Sequence, residues 1–226
     1  MRKTYLKLLI VLPALIILAS CSKDPVFTDN ETNVGSSRVV YFPSVQIKGN
    51  RLIIIDQGGT FNDPGVEAKL KGTDVPATVS GTVNANVPGV YNLTYSASSP
   101  DGYAASDWRT VVVMSNSAQV SNNDFSGTYT RDNGVNVYWT KVARGVYQVD
   151  NPGGAGVGVG FIVTLVNYDA NKISIPRQLA FDPSIGGLNT ISSNSEEYNA
   201  TAVPVTVKYA LTAGGYGTQV RNFIKN

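Results

Sequence analysis

The chain has 226 residues and a formal net charge of +2, with no histidine and one cysteine. These counts exclude Ser-His-Asp and Cys-His catalytic systems, zinc sites built from His or Cys, and a disulfide within the chain. Three of the 18 basic residues and none of the 16 acidic ones lie in the first 20 residues, so the rest carries a net charge of −1 and has no basic footprint for nucleic acid.

Residues 1–20 have the pattern of a secretory signal peptide. The positive start is provided by three basic residues, Arg2, Lys3 and Lys7. The apolar run that follows, Leu8 to Leu18, has 11 residues, whereas a helix needs roughly 20 to cross the bilayer core. We therefore expect a cleaved export signal. A buried core helix is the alternative, and Pro13 argues against it because it interrupts the run.

The stretch Leu18-Ala19-Ser20-Cys21 resembles the lipobox of bacterial lipoproteins. In that family the signal is cut before the cysteine, whose thiol carries a diacylglycerol and whose new amino group is acylated. The resemblance implies that lipid on Cys21 attaches the chain to the outer membrane. Several acyl chains hold a protein firmly, because each buried methylene contributes about 0.8 kcal/mol. A free thiol is the alternative. A surface or periplasmic position stays open, since Ser22-Lys23-Asp24 matches the acidic surface signal of this group only in part.

Residues 21–37 are rich in Asp, Asn, Ser and Thr and have almost no apolar pattern. This composition predicts a flexible tether between the lipid and the folded part. An irregular first loop is the alternative, and both interpretations place the start of the folded part near residue 38.

From Arg38 onward the sequence indicates β-structure almost throughout. Short β-branched runs such as RVVYF and RLIIID lie between Pro, Gly and Asn residues. In GVYNLTYSAS, Leu93 and Tyr95 alternate with Asn92 and Thr94, which is the pattern of a strand with one buried face. Strand signals recur every 8 to 12 residues, and no sustained helical period follows the signal peptide. The sequence therefore predicts an all-β protein built from sandwich or barrel domains.

Residues 38–115 resemble the bacterial immunoglobulin-like (Ig-like) domain first named from a pesticidal crystal protein. The resemblance depends on Asp63-Pro64-Gly65, Gly81-Thr82-Val83, Pro88-Gly89-Val90-Tyr91 and a closing strand after an Asp-Gly turn. It implies an N-terminal Ig-like β-sandwich and supplies no catalytic residue. The hairpin SPDGYAASDW is bulkier than the short Asp-Gly-Asn turn of the family, and it places Tyr103 and Trp108 near an edge of the sandwich.

The polar residues 116–124 predict a linker, and residues 125–226 predict a second domain. Seven or more strand-like segments and the connection TAGGYGT indicate an antiparallel β-barrel or sandwich. The segments GTYTR and TKVARGVYQVDN are similar to the carboxy-terminal domain of small Bacteroidetes outer-membrane lipoproteins from glycan-utilisation loci. These resemblances imply a non-catalytic, lipid-anchored accessory protein of a Sus-like system, which binds a polysaccharide or oligosaccharide or acts as a spacer. The alternative is a structural or assembly lipoprotein that contacts a protein partner such as an outer-membrane transporter.

Carboxylates are the remaining catalytic candidates, since a glycosidase needs two of them about 5 to 10 Å apart. The candidates are Asp132, Asp150, Asp169, Asp182, Glu196 and Glu197. Several of the aspartates lie in turn sequences, where Asp is favoured for local reasons, and the adjacent glutamates point to opposite faces of a strand. We expect turn-forming or solvated roles for all six, and neither an enzyme nor a cofactor. Calcium binding by the Asp/Asn loops stays an open alternative, although no Asp-x-Asp-x-Asp-Gly spacing occurs.

The glycine-rich segment NPGGAGVGVGFIVTLV invites comparison with a phosphate-binding loop. That loop requires a strand before the glycines and a helix N-terminus after them. Here a β-branched stretch follows and no Lys-Ser/Thr closes the motif. We therefore predict a loop that leads into a strand.

Aromatic side chains are the remaining signal for ligand binding, because sugar-binding surfaces stack flat aromatic faces on sugar rings. The five candidates are Trp139, Tyr138, Trp108, Tyr103 and Tyr216. Tyr138 and Trp139 are neighbours in a predicted strand, so one of them should face the core and the other the solvent. The alternative for all five is that they fill cores or seal strand pairs.

Overall fold

The computed structural model describes residue 30 and residues 32–34 and 37–226. The predicted signal peptide, Cys21 and most of the predicted tether lie outside these residues and stay predictions. The chain divides into two units, residues 1–41 and residues 42–226. No helix in the described part of the chain is long and apolar enough to cross a membrane.

The described residues form 18 strands and one short helix. In chain order these are β1 (Asn33–Val34), β2 (Ser37–Arg38), β3 (Ser44–Ile47), β4 (Leu52–Asp56), β5 (Val66–Leu70), β6 (Thr73–Asp74), β7 (Thr78–Ser80), β8 (Gly89–Ser98), β9 (Ala104–Met114), α1 (Ala118–Asn122), β10 (Gly127–Arg131), β11 (Asn136–Ala143), β12 (Val146–Asp150), β13 (Ile162–Asp169), β14 (Lys172–Ser174), β15 (Gln178–Asp182), β16 (Gly187–Asn199), β17 (Thr206–Thr212) and β18 (Val220–Lys225). In the first unit, β1 and β2 pair antiparallel. The second unit holds β3 to β18 and α1, and the all-β prediction is confirmed.

Strands β3 to β9, the Ig-like half, form the two sheets of a sandwich. One sheet has the order β3-β5-β6 and the other the order β4-β9-β8-β7, in which β4 and β9 pair in parallel and the remaining pairs are antiparallel. Leu93, Tyr95 and Val111 are buried in the core, against apolar side chains of β3, β4 and β5. Asn92 and Thr94 are exposed on the other face of β8. The buried face is the one that the alternation predicts, and the Ig-like sandwich is confirmed.

Strands β10 to β18, the half-barrel, form one antiparallel sheet with the order β14-β13-β12-β11-β10-β18-β17-β16-β15. The sheet curls until its two ends meet. The Ser193 N–H of β16 donates to the carbonyl oxygen of Ile175, just after β14, at 2.9 Å. The Gln178 side chain of β15 bonds both the N–H and the carbonyl oxygen of Thr164 in β13. Aromatic and aliphatic side chains fill the inside. This half-barrel agrees with the predicted antiparallel barrel or sandwich.

Residues 116–124, predicted as a linker, contain α1. The Ser117 hydroxyl accepts a hydrogen bond from the Val120 N–H at 3.4 Å, which caps the first turn. The Val120 side chain is completely buried. Five residues are too few for a helical period, so no helical pattern is visible in the sequence. The boundaries between Ig-like domain, linker and second domain stay predictions.

Direct contacts join the Ig-like half to the half-barrel, and both belong to the one compact unit of residues 42–226. The Thr110 hydroxyl donates to the carbonyl oxygen of Arg177 at 2.9 Å. The Ser115 N–H donates to the carbonyl oxygen of Tyr168 at 2.8 Å, and the Ser115 carbonyl accepts from Arg144 at 2.7 Å. These bonds join the second half of β9 and the residue after it to the half-barrel.

Candidate ligand-binding site

The Ig-like motif Asp63-Pro64-Gly65 holds the sandwich together. The Asp63 carboxylate forms an ion pair with Arg109, whose side chain is completely buried. The same carboxylate accepts hydrogen bonds from the Tyr95 hydroxyl, at 2.8 and 2.9 Å, and from the Gly65 N–H at 3.0 Å. Burial, followed by the hydrogen bond to Asp63, raises the pKa of Tyr95 to about 12. These contacts occupy the carboxylate inside the fold.

The six candidate carboxylates of the half-barrel all have local partners. Five of them pair as follows: Asp132 with Arg131, Asp150 with the Gly160 N–H, Asp169 with Lys172, Glu196 with the hydroxyls of Ser174 and Ser193, and Glu197 with Lys208. Asp182 is completely buried. Burial raises its pKa, but hydrogen bonds from the Ser184 hydroxyl and N–H and from the Asn189 amide outweigh burial, so the net pKa is lowered. Within the described residues, no group of three or more His, Cys, Asp or Glu side chains could hold a metal ion.

The glycine-rich segment of residues 151–160 leads into β13, and no helix follows it. Its glycines have a packing role. A Cβ atom on Gly153 would lie 2.6 Å from the ring of Tyr216, and one on Gly154 would lie 2.7 Å from Cδ of Arg131. Gly154 also has a φ of +54°, a conformation that glycine adopts without strain. The segment therefore lets two side chains approach its backbone closely.

The Tyr138–Trp139 pair divides between the two faces of β11. Tyr138 is 44% exposed, whereas Trp139 is 3% exposed. The Trp139 ring packs on Tyr129 with a centroid separation of 4.8 Å, and its Nε1–H is enclosed without a hydrogen-bond partner among the described residues. This burial corrects the prediction of Trp139 as a ligand-binding residue, because neither face of its ring is free to stack on a sugar.

Tyr103 lies just before β9, and Trp108 lies within β9. Both precede the part of β9 that pairs with β4. Tyr103 is 39% exposed, and its ring packs against Phe42 with a centroid separation of 4.6 Å. The Trp108 ring contacts two guanidinium groups, that of Arg177 at 4.2 Å from its centroid and that of Arg51 at 5.1 Å. Trp108 therefore acts as a platform for arginine side chains, one of them from the half-barrel.

A groove of about 520 Å³ opens next to Arg177 on the outer face of the half-barrel. It is lined by Arg177, Thr190, Ser192, Thr212, Ala213, Gly214, Gly217 and Thr218. Ser192 and Thr212 are partners across β16 and β17. Ile191, between Thr190 and Ser192, is completely buried, so its two neighbours point outward. The groove therefore presents a row of hydroxyl groups.

Arg177 adds a planar cation to this row. Burial, and next the positive charge of Arg51, lower the pKa of Arg177. Its guanidinium lies on the Trp108 ring, and cation–π contacts of this kind are worth about 0.5–1 kcal/mol at exposed sites. The Trp108 ring thus supports one side of the guanidinium group, which carries five N–H donors.

A second depression, the basin, has a volume of about 200 Å³. It is lined by Arg131, Gly153, Ala155, Val157, Ser184, Ile185, Gly214, Gly215, Tyr216 and Arg221. Gly214 lines both the basin and the groove. Asn189 anchors this position through a hydrogen bond from its amide to the carbonyl oxygen of Gly214 at 3.2 Å. Tyr216 is partly buried and packs on Phe161 with a centroid separation of 5.5 Å.

Two of the five aromatic candidates belong to this region. Tyr216 lines the basin, and Trp108 supports Arg177 of the groove. Tyr103 and Tyr138 line neither depression. Sequence reasoning missed the groove hydroxyls, although the alternation Thr190-Ile191-Ser192 indicates an exposed hydroxyl face. It also missed the arginines, for which the sequence offers no signal.

Comparison with known proteins agrees with the architecture of the Ig-like half. Residues 45–113 match a family described as the Ig-like domain of bacterial surface proteins. A search of the curated proteins found no match. Among solved structures, the crystal structure of the lipoprotein BT2262 from Bacteroides thetaiotaomicron is 23% identical, with a TM-score of 0.35, and the similarity covers 81% of this chain and 100% of that chain. The chain thus carries an Ig-like domain of a kind that occurs in bacterial surface proteins.

Proposed function

We propose that this chain is a non-catalytic lipoprotein, anchored in the outer membrane through Cys21, that binds a glycan as an accessory of a polysaccharide-utilisation system. The lipobox-like stretch at residues 18–21 and the match of residues 45–113 to a bacterial surface domain support the envelope location. In this proposal the Ig-like half is a spacer that holds the half-barrel away from the membrane. The bonds of Thr110 and Ser115 to the half-barrel suit that task, since they restrict motion between the two halves.

The groove is the observation that carries glycan binding. Sugars present several hydroxyl groups on an otherwise apolar ring, and they are bound by hydroxyl, amide and guanidinium groups at fixed positions. Thr190, Ser192 and Thr212 supply hydroxyl groups that can both donate and accept. Arg177, oriented by Trp108, supplies donors in one plane. Such preorganisation favours affinity because fewer rotamers are lost on binding.

A titration against a glycan panel tests the proposal. The full chain, purified in detergent, is titrated with neutral and acidic polysaccharides by isothermal titration calorimetry. We expect binding to at least one glycan. Arg177→Ala should weaken that binding at least fivefold, because it removes the planar donors while leaving the Arg177 carbonyl that Thr110 uses.

Lys172→Ala is the matched control, because Lys172 is a well-exposed basic residue that lines neither depression. This variant should bind like the unmodified chain. The proposal is refuted when no glycan of the panel binds, or when Arg177→Ala and Lys172→Ala bind equally well.

A structural or assembly role with a protein partner, such as an outer-membrane transporter, is the second candidate. The observation that favours it is a group of exposed apolar side chains around β15 and β16. Phe181 and Leu188 are cross-strand partners and are 57% and 67% exposed. Leu179 and Ile185 lie nearby and are exposed as well. Apolar groups of this kind often mark protein interaction sites.

Cross-linking in intact membranes distinguishes this role from glycan binding. A structural partner should be captured in the absence of glycan, and Phe181→Ser should abolish the capture while leaving glycan affinity unchanged. Capture that depends on added glycan, or that survives Phe181→Ser, contradicts the structural role.

A further inference from the structure

Building on the glycan-binding function above, we propose that the basin binds an acidic group of the glycan, a carboxylate or a sulfate ester. The groove and the basin share Gly214, so a saccharide in the groove can place a neighbouring substituent in the basin. The recognised chemistry is an oxyanion on a sugar. The proposal therefore names acidic glycans as the ligand class.

Arg221 is a buried cation without an acidic partner among the described residues. Arg221 is only 6% exposed. Its two terminal nitrogens donate to backbone carbonyl oxygens, those of Gln219, at 3.2 Å, and of Tyr216. Its Nε–H is enclosed and has no hydrogen-bond partner in the described part of the chain. Carbonyl dipoles compensate a buried guanidinium less completely than a carboxylate does, so this charge is available to a bound anion.

Arg131 brings a second positive charge to the same basin. Its Nη1 donates to the carbonyl oxygen of Gly153 at 3.1 Å, and its side chain is 26% exposed. Burial, followed by the charge of Arg131, lowers the pKa of Arg221, which reflects the closeness of the two like charges. An oxyanion between them would relieve this repulsion and would accept charge-assisted hydrogen bonds.

Two carboxylates lie near the basin, and neither lines it. Asp132 pairs with Arg131 at 3.2 Å from a position that is 55% exposed. Asp182 is completely buried, and its oxygens accept hydrogen bonds from Ser184 and Asn189. The lining of the basin thus contains two arginines and no acidic residue. The two guanidinium groups are therefore the charged groups that a ligand in the basin would meet first.

The basin is preorganised by its glycines. Gly153 allows the Tyr216 ring to lie against the loop backbone, and Gly154 does the same for the Arg131 side chain. The Tyr216 carbonyl in turn accepts from Arg221. The two arginines therefore hold their positions without a ligand, and an anion would bind with little rearrangement.

The test compares glycans that differ only in charge. The full chain in detergent is titrated with a neutral oligosaccharide, its uronic acid counterpart and its sulfated counterpart, at 20 mM and 300 mM NaCl. We expect at least tenfold tighter binding of one acidic form at low salt and a clear loss of that advantage at high salt. The uronic acid and sulfate arms identify which oxyanion is bound.

Arg131→Gln should remove most of the acidic advantage and leave the affinity for the neutral form unchanged, because Arg131 lies outside the groove. Arg221→Lys keeps the positive charge and removes the planar guanidinium, so it tests the geometry of the donors, and a circular dichroism spectrum identifies a folding defect in either variant. Acetate and sulfate alone are titrated in parallel, with the backbone N–H signals of Gly214 and Gly215 followed by NMR.

The outcomes distinguish the proposed glycan binding from the proposed anion site in the basin. Equal affinity for neutral and acidic forms refutes the acidic-ligand inference and leaves glycan binding intact. Anion-induced shifts without affinity for any glycan refute the proposed function and retain the anion site. Absence of both the acidic preference and the anion-induced shifts, or an unchanged preference in Arg131→Gln, overturns the assignment of the basin.

Discussion

Asp63→Ala should strongly destabilise the Ig-like half, because it removes the carboxylate that pairs with a buried cation. Arg109 is completely buried, and its remaining partners are the carbonyl oxygens of Lys48 and Asn50 and the Tyr95 hydroxyl. The substitution leaves the Arg109 charge without its carboxylate. It also leaves the Tyr95 hydroxyl without its acceptor.

The magnitude follows from the burial of the two partners. Breaking a buried ion pair by removing one partner costs about 3–5 kcal/mol. The Asp63 side chain is 29% exposed, so water can partly replace it, and we expect a loss of about 2–4 kcal/mol in the free energy of unfolding. Asp63→Asn keeps an acceptor for Tyr95 and Gly65, so its cost should be smaller, about 1–2 kcal/mol.

Urea unfolding of the full chain measures this loss. In a Trp139→Phe background, Trp108 is the only tryptophan and reports on the Ig-like half. With an m-value of about 2 kcal/mol per M, the Asp63→Ala midpoint should fall by about 1–2 M. The control is Glu67→Ala in the same half, whose partner Lys69 is 40% exposed, and its urea midpoint should stay close to that of the unsubstituted background. Equal midpoints for Asp63→Ala and Glu67→Ala would refute a structural role of the Asp63-Pro64-Gly65 motif.

Two further predictions concern Tyr95 and the glycine-rich segment. The folded pKa of Tyr95, about 12, lies above its ordinary value of 10.0, so its contribution to stability is complete below pH 10 and is lost as the pH rises through 12. Urea midpoints between pH 8 and 12 should show this decline, and Tyr95→Phe should decline less; an identical decline contradicts the burial of the phenol. Gly153→Ala should cost about 1–3 kcal/mol and weaken acidic-glycan binding, because its Cβ atom would displace Tyr216. Gly156→Ala has open space around its Cβ atom and should change stability by less than about 0.5 kcal/mol, so equal costs for the two variants would contradict the packing role.

Much of the fold is predictable from the sequence because strands and turns are specified locally. The alternation of Leu93 and Tyr95 with polar neighbours identifies the buried face of β8, and burial confirms it. The pair Tyr138–Trp139 likewise must split between two faces, but the sequence does not say which residue is inside. The helix α1 escapes sequence reasoning because it is only five residues long and is stabilised by a Ser117 cap and one buried valine.

The candidate site is less predictable because its parts are far apart in the chain. Tyr216 and Trp108 are recognisable as aromatic candidates, yet nothing in the sequence connects Trp108 with Arg177. Three of the six acidic candidates, Asp132, Asp150 and Asp169, could be interpreted locally because they lie in turn sequences. The two basin arginines have no local signature, since their significance comes from their closeness to each other and to the glycine loop.

The sequence by itself determined the all-β class, the Ig-like pattern of residues 38–115, the exclusion of histidine and cysteine chemistry, and the expectation of a lipid on Cys21. The all-β class and the exclusions follow from composition, short-range periodicity and turn chemistry, which depend on neighbouring residues alone, whereas the Ig-like pattern and the lipid on Cys21 are what resemblances to known families imply. Only the tertiary structure decided that Trp139 lies in the core and that Trp108 supports Arg177. Only the tertiary structure, too, brought Arg131 and Arg221 together at one basin. The physical reason is that the pairing of β10 with β18 and the curl of the nine-stranded sheet set these distances, and both depend on the packing of the whole core.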